Sequence, residues 1–122
     1  MDRFWLITVM HKKGKILGLI QARMGSKRLP GKMSMMLGEY TILEWVIKRS
    51  SKSRLIDDLI LLTSNLQKDD ILIKQANELG IKTYRGSETD VLNRFSSAAN
   101  IFGCDIAVRI CADNPFVDSI EI

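Results

Sequence analysis

Four short strand-like segments, each bounded by polar or turn residues, constrain this chain more than any other feature. They are Ile16 to Ile20, Leu59 to Thr63, Ile81 to Tyr84 and Ile106 to Ile110. The continuous apolar run Leu59 to Thr63 has the pattern of a strand buried on both faces, as parallel sheets require. Segments with helical spacing separate the four. Thr41-Ile42-Leu43-Glu44 reads as a capping box, in which the hydroxyl and the carboxylate satisfy free N–H groups at a helix start. The helix it opens runs to about Ser51, with Ile42, Leu43, Val46 and Ile47 as its buried stripe, Trp45 widening that stripe, and Lys48, Arg49 and Lys52 at its negative end.

Asp69 to Leu79 places Ile71, Leu72, Gln75, Ala76 and Leu79 at helical spacing and stops at Gly80. Arg85-Gly86-Ser87 reads as a turn, and Ser87 as the cap of a third helix with Val91, Leu92, Phe95, Ala98, Ala99 and Phe102 as its stripe before Gly103. Met33 to Leu37 reads as a short extended piece ending at Gly38, and Val117 to Ile122 as the start of another helix. Strands alternating with helices predict an α/β fold, a mainly parallel sheet with helices on both faces. Ligands of such sheets bind beyond the carboxyl ends of the strands, where the strand order reverses, and the polar loops 21–32 and 112–118 both fall at that edge. With 122 residues and no low-complexity linker, the chain holds at most one domain.

The first of those loops packs Arg23, Lys27, Arg28 and Lys32 among Gly25, Ser26, Pro30 and Gly31, four cations in ten residues. Glycine lets the backbone approach a ligand closely, proline fixes one φ angle, and the cations supply positive charge, so the stretch suits a polyanion held against main-chain N–H groups. The spacing is neither the G-x-x-x-x-G-K-S/T of a Walker loop nor the G-x-G-x-x-G of a dinucleotide fold. The formal net charge of +4 fits nucleic acid, an anionic membrane or a phosphorylated small ligand. No aromatic residue interleaves the loop cations for bases to stack on, which argues against a single-stranded nucleic acid. Phe4 to Met10 is too short to span a bilayer and lacks a signal-peptide cleavage pattern, so residues 1–14 read as a leader of uncertain structure, with Met10 a candidate natural start. The two cysteines, Cys104 and Cys111, stand at opposite ends of one predicted strand and read as reduced thiols of a cytoplasmic protein. The single histidine, His11, lies far from both in sequence.

Gln21-Ala22-Arg23-Met24-Gly25-Ser26-Lys27-Arg28-Leu29-Pro30-Gly31-Lys32 resembles the signature loop of the cytidylyltransferases that act on acidic sugars. The acylneuraminate and 3-deoxy-manno-octulosonate enzymes are similar, and the branch called spore coat polysaccharide biosynthesis protein F most of all. The likeness continues through Gly38, Leu43 to Ile47, Arg85-Gly86-Ser87-Glu88, Asp90-Val91-Leu92, Arg94-Phe95, Val108-Arg109-Ile110 and Asp113-x-Pro115, so it covers about residues 15–122. It implies a Rossmann-like, three-layer nucleotide-diphospho-sugar transferase fold, truncated to its N-terminal, nucleotide-binding half.

The activity it implies is magnesium-dependent transfer of CMP from CTP to a sugar acceptor, with release of pyrophosphate, for cell-surface polysaccharide. Preorganised cations and N–H groups lower the barrier of such a transfer, because negative charge spreads over the α-phosphate and the leaving pyrophosphate. By resemblance Arg23 and Lys32 contact the triphosphate as the catalytic pair, Ala22, Gly25 and Ser26 line it, Lys27 and Arg28 neutralise outer phosphates, and Asp113 binds Mg²⁺. Arg85, Gly86, Ser87, Asp90 and Arg94 fall where the family contacts base, ribose or acceptor. Their local chemistry offers a second account, with Ser87 and Glu88 as helix-start residues and Arg94 paired to Asp90 one turn away. Arg109 alternates away from the apolar positions of its strand and is a candidate for the site edge. Two departures stand out: the family's Lys-Pro is replaced by Glu39-Tyr40, and the chain is about half the length the resemblance implies. A homodimer or a partner carrying the second half is one expectation from that length; a catalytically silent nucleotide-binding or assembly module is the other.

Overall fold

The computed structural model of the chain describes residues 14–25 and 31–111. Strand β1 (Ile16–Gln21) lies at the centre of a four-stranded parallel sheet with β4 (Asp58–Ser64), β5 (Lys82–Gly86) and β6 (Ile106–Cys111), in the order β5-β4-β1-β6. A two-stranded antiparallel hairpin, β2 (Met36–Leu37) with β3 (Tyr40–Thr41), stands outside the sheet. The helices are α1 (Ile42–Ser50), α2 (Asp70–Glu78) and α3 (Val91–Phe102). Single 3-10 turns, Lys32–Ser34 and Gln67–Asp69, precede β2 and α2.

Strand periodicity sorts the core into two layers. Ile16, Ile20, Leu59, Leu61, Val108 and Ile110 pack against Leu43, Val46 and Ile47 of α1 and Leu72 and Ala76 of α2. Leu17, Leu19, Ile60 and Leu62 point the other way, onto Phe95, Ala98, Ala99 and Phe102 of α3. Helices thus cover both faces, and the three-layer α/β expectation is met. Gly18 serves this packing by what it lacks, since a Cβ there would come within 2.8 Å of Leu59 Cδ2 and 3.0 Å of Ile56 Cδ1.

The capping box at Thr41 forms as the sequence predicts: the Thr41 hydroxyl accepts the Glu44 N–H at 3.1 Å and the Glu44 carboxylate accepts the Thr41 N–H at 2.9 Å. Other local expectations are corrected. Lys32–Ser34 is a 3-10 turn and only Met36–Leu37 is extended, because Gly31 and Gly38, both at positive φ, turn the chain on either side. Trp45 is half-buried and pins the hairpin, its indole N–H donating to the Leu37 carbonyl at 2.5 Å. Ile71 is exposed, and α2 starts at Asp70 behind its 3-10 turn.

Arg85 and Gly86 continue β5 instead of turning out of it, in register with Thr63 and Ser64. The cap of α3 is Asp90, whose carboxylate accepts the Asn93 N–H at 2.9 Å; Ser87 closes the preceding turn by accepting the Asp90 N–H. Val91 and Leu92 are exposed, and Arg94 is buried on that helix in their stead. The expected helix at Val117 to Ile122 and residues 1–13 of the leader lie outside the described residues.

Candidate functional site

The strand order reverses between β1 and β6, which are paired through Gln21 and Cys111 at their carboxyl ends. This is the crevice in which open α/β sheets bind ligands. β1 ends at its rim: on the β4 side the Ala22 N–H prolongs the ladder to the Leu62 carbonyl at 3.1 Å, and Ala22 is buried. Arg23, the next residue, is exposed.

Met24 then fixes the loop from both sides. Its N–H donates to Asp69 Oδ1 at 2.7 Å, and its carbonyl accepts the Gly31 N–H at 2.9 Å. The second bond draws Met24 and Gly31 together as a neck, with Arg23 and Lys32 flanking it. Gly31, with φ of 77°, can make this turn because it has no Cβ. Beneath the neck, the Ser34 hydroxyl donates to Met24 Sδ at 3.3 Å, while Gln75 joins Ser34 to the Thr41 hydroxyl. The loop is therefore tied to both α1 and α2.

Asp69 has no solvent exposure, and its second carboxylate oxygen accepts the Ser64 hydroxyl. A buried carboxylate needs such partners, and here they position the main chain at the start of the loop. The residue escaped the sequence analysis because a helix-start Asp normally faces solvent; the polar Ser64-Asn65-Leu66 turn before it is the only local signal.

Arg94 is the second buried charge. Its Nη1 donates to the Ser87 carbonyl at 2.7 Å, its Nε lacks a hydrogen-bond partner, and it packs so close to Gly86 that a Cβ there would lie 3.0 Å from Arg94 Cγ. Burial lowers the guanidinium below the ordinary arginine value; the Asp69 charge opposes that shift, Arg23 adds to it and Glu88 opposes it. Arg23, Asp69, Glu88 and Arg94 thus share one electrostatic neighbourhood around the loop. The side chain of Arg94 does not pair with Asp90, which caps α3.

Arg85 is fully engaged: Nε donates to the Ser64 carbonyl at 2.9 Å, Nη2 to the Leu66 carbonyl at 2.7 Å, and Nη1 pairs with Asp70 at 2.7 Å. It clamps the turn that carries Asp69. Ser87 and Asp90 are exposed at the mouth of α3, on the side of Arg94. Arg109 is exposed but faces Leu19 in mid-strand, away from the carboxyl edge.

Ser26, Lys27, Arg28 and Asp113 lie outside the described residues. Among the described residues no group of three or more His, Cys, Asp or Glu side chains could hold a metal ion, and both oxygens of Asp69 are already engaged. These residues alone do not make a magnesium site.

Residues 17–122 match the Cytidylyltransferase family. The chain belongs to that family. The chain is 45% identical over 108 residues to the uncharacterized protein MJ1063 of Methanocaldococcus jannaschii, a match that covers 88% of the chain and 44% of the relative. It is 40% identical over 107 residues to the spore coat polysaccharide biosynthesis protein SpsF of Bacillus subtilis (84% and 45% covered). Against the 3-deoxy-manno-octulosonate cytidylyltransferase of Bdellovibrio bacteriovorus it is 34% identical over 107 residues (84% and 41% covered). The chain thus spans less than half the length of these relatives.

A solved cytidylyltransferase from Leptospira borgpetersenii superposes with a TM-score of 0.83 at 39% identity, over 87% of this chain and 44% of that one. A CMP:2-keto-3-deoxy-manno-octonic acid synthetase complexed with CTP shares the fold, with a TM-score of 0.75 at 20% identity over 88% of this chain and 44% of that one. The family resemblance and the nucleotidyltransferase fold expected from the sequence are both met. No helix among the described residues is long and apolar enough to cross a membrane.

Proposed function

We propose that this cytidylyltransferase chain is the nucleotide-binding part of an enzyme that transfers CMP from CTP to an acidic sugar. The neck between Met24 and Gly31 carries the reading: it follows β1 at the carboxyl edge of the sheet and is pinned there by Asp69, with Arg23 and Lys32 on its two sides. In the reaction a sugar hydroxyl oxygen forms a bond to the α-phosphorus, the bond from that phosphorus to the bridging oxygen breaks, pyrophosphate leaves with the electron pair, and the hydroxyl proton is released to water. Arg23 and Lys32 bind the triphosphate and hold positive charge where the α-phosphate and leaving group gain negative charge. Ala22, Gly25 and Ser26 line the phosphates, Lys27 and Arg28 neutralise the outer ones, and Ser87 and Asp90 face the nucleoside or the acceptor, with the buried Arg94 holding the Ser87 carbonyl beside them. Arg85 acts by holding the Ser64 to Asp70 turn, and through it Asp69.

Magnesium belongs to the same proposal, and Asp113 would hold it. When bound, the ion neutralises phosphate charge. The product, made in the cytoplasm, serves cell-surface polysaccharide, and the likeness to the Bacillus protein supports the polysaccharide role. A homodimer, or a partner supplying the acceptor side, belongs to the same proposal. A second reading is nucleotide binding without turnover. Incubation with CTP, Mg²⁺ and a panel of acidic sugars separates them: pyrophosphate release supports the enzyme, and CTP binding without any release supports the silent module.

A further inference from the structure

Gly25 follows the anchored Met24 in the loop, and the space beside it is taken by a side chain from another element. A Cβ built on Gly25 would lie 2.6 Å from Lys68 Nζ and 3.2 Å from its Cε. Lys68 belongs to the Gln67–Asp69 turn, and its neighbour Asp69 holds the Met24 N–H, so the turn that carries the ammonium is fastened to the loop it covers. The ammonium pairs with Glu88 Oε2 at 3.0 Å, with the two side chains 49% and 31% exposed. The contact is ionic without the alignment of a hydrogen bond, and that Glu88 oxygen, itself shielded from solvent, has no hydrogen-bond partner. Glu88 also acts on the charge of Arg94, as Arg23 does, so its carboxylate sits within the cationic cluster of the site.

We infer that Lys68 is a further triphosphate-binding residue, and that Glu88 is an internal anion that holds it over Gly25 until a phosphate group displaces the carboxylate. The inference rests on the nucleotide reading above and adds a contact and a competitor to it. An ammonium half in solvent, on a flexible stem, exchanges one anionic partner for another at small cost, because exposed ion pairs are individually weak. A phosphate offers Lys68 a higher charge than one carboxylate does. Its arrival releases Glu88 to solvent and leaves Arg23 and Lys68 facing the ligand, with the buried Arg94 behind them. The missing Cβ at Gly25 is what allows the ammonium, and then the phosphate, to approach the backbone.

The test is a calorimetric titration of the protein and its variants with CTP and, separately, with inorganic tripolyphosphate at low salt. Glu88→Gln removes the competing charge and keeps the shape, so both ligands bind about threefold to tenfold tighter. Lys68→Met keeps the stem and removes the charge, so both bind about tenfold weaker. Both side chains are partly exposed, and thermal melts within a few degrees of the parent verify that the variants fold. Unchanged or weaker binding by Glu88→Gln overturns the competitor role. Unchanged or tighter binding by Lys68→Met overturns the contact. Tripolyphosphate binding that responds to both variants while CTP does not bind at all would sink the nucleotide reading and leave the Lys68–Glu88 exchange standing.

Discussion

Replacing Asp69 with alanine removes the group that joins the nucleotide loop to the sheet. The carboxylate has no solvent exposure and accepts the Met24 N–H at 2.7 Å and the Ser64 hydroxyl. Each hydrogen bond to a charged group contributes about 1.5–3 kcal/mol, and the donors left behind are buried. Arg94 also loses a nearby opposite charge while it stays buried. The terms overlap, so we expect a total loss of about 4 kcal/mol, a large part of the roughly 5–15 kcal/mol that a domain possesses. Urea denaturation followed by tryptophan fluorescence, from Trp5 and Trp45, reads this directly: with a slope of about 2 kcal/mol per molar, the midpoint falls by about 2 M. Asp70→Ala is the control, because its ion pair with Arg85 is formed by a carboxylate 59% exposed and so contributes at most about 1 kcal/mol. An Asp69→Ala midpoint as close to the parent as that of Asp70→Ala would refute the role assigned to Asp69.

Two further outcomes follow from packing and titration. Gly18→Ala forces a methyl group against Leu59 Cδ2 and Ile56 Cδ1, costing about 1–3 kcal/mol; a thermal melt several degrees below the parent is expected, and an equal or higher melting temperature would contradict the close packing described. Burial raises the Cys104 thiol above its ordinary value, Asp105 adds to the rise and Lys15 opposes it. Iodoacetamide labelling of Cys104, read by peptide mass, is therefore slower at pH 8 than that of free cysteine, and a rate equal to free cysteine would refute the shift. Because the folded value is raised, the stability linked to this thiol is fully present below the unfolded value of about 8.5 and is lost as pH rises through the folded one.

Strand and helix order was legible because apolar runs and helical spacing report directly on which faces are covered, and the Thr41 to Glu44 box is a local hydrogen-bond pattern with one outcome. The polar interior was not. Helical periodicity places Val91 and Leu92 on the buried stripe of α3, yet the space beneath Gly86 admits the long Arg94 side chain and leaves Leu92 77% exposed. Asp69 reads as a solvent-facing helix start, and only the tertiary position of the Met24 N–H shows why it is buried. Ser87 and Asp90 are both good caps, and the choice between them depends on where β5 ends. Within the site, the loop cations announced themselves by density, whereas Lys68 is one lysine in a polar turn whose meaning comes from Gly25, more than forty residues earlier.

The central claim is that the neck between Arg23 and Lys32 grips a triphosphate. The most direct measurement is a titration of CTP with Mg²⁺ into the parent protein and into an Arg23→Ala, Lys32→Ala double variant, each verified as folded by its thermal melt. Arg23 is exposed and Lys32 half-buried, so the double variant retains its fold. Saturable CTP binding by the parent, weakened at least about a hundredfold in the variant by the loss of two charge-assisted contacts, is the predicted result. CTP binding of equal affinity in parent and double variant would contradict it.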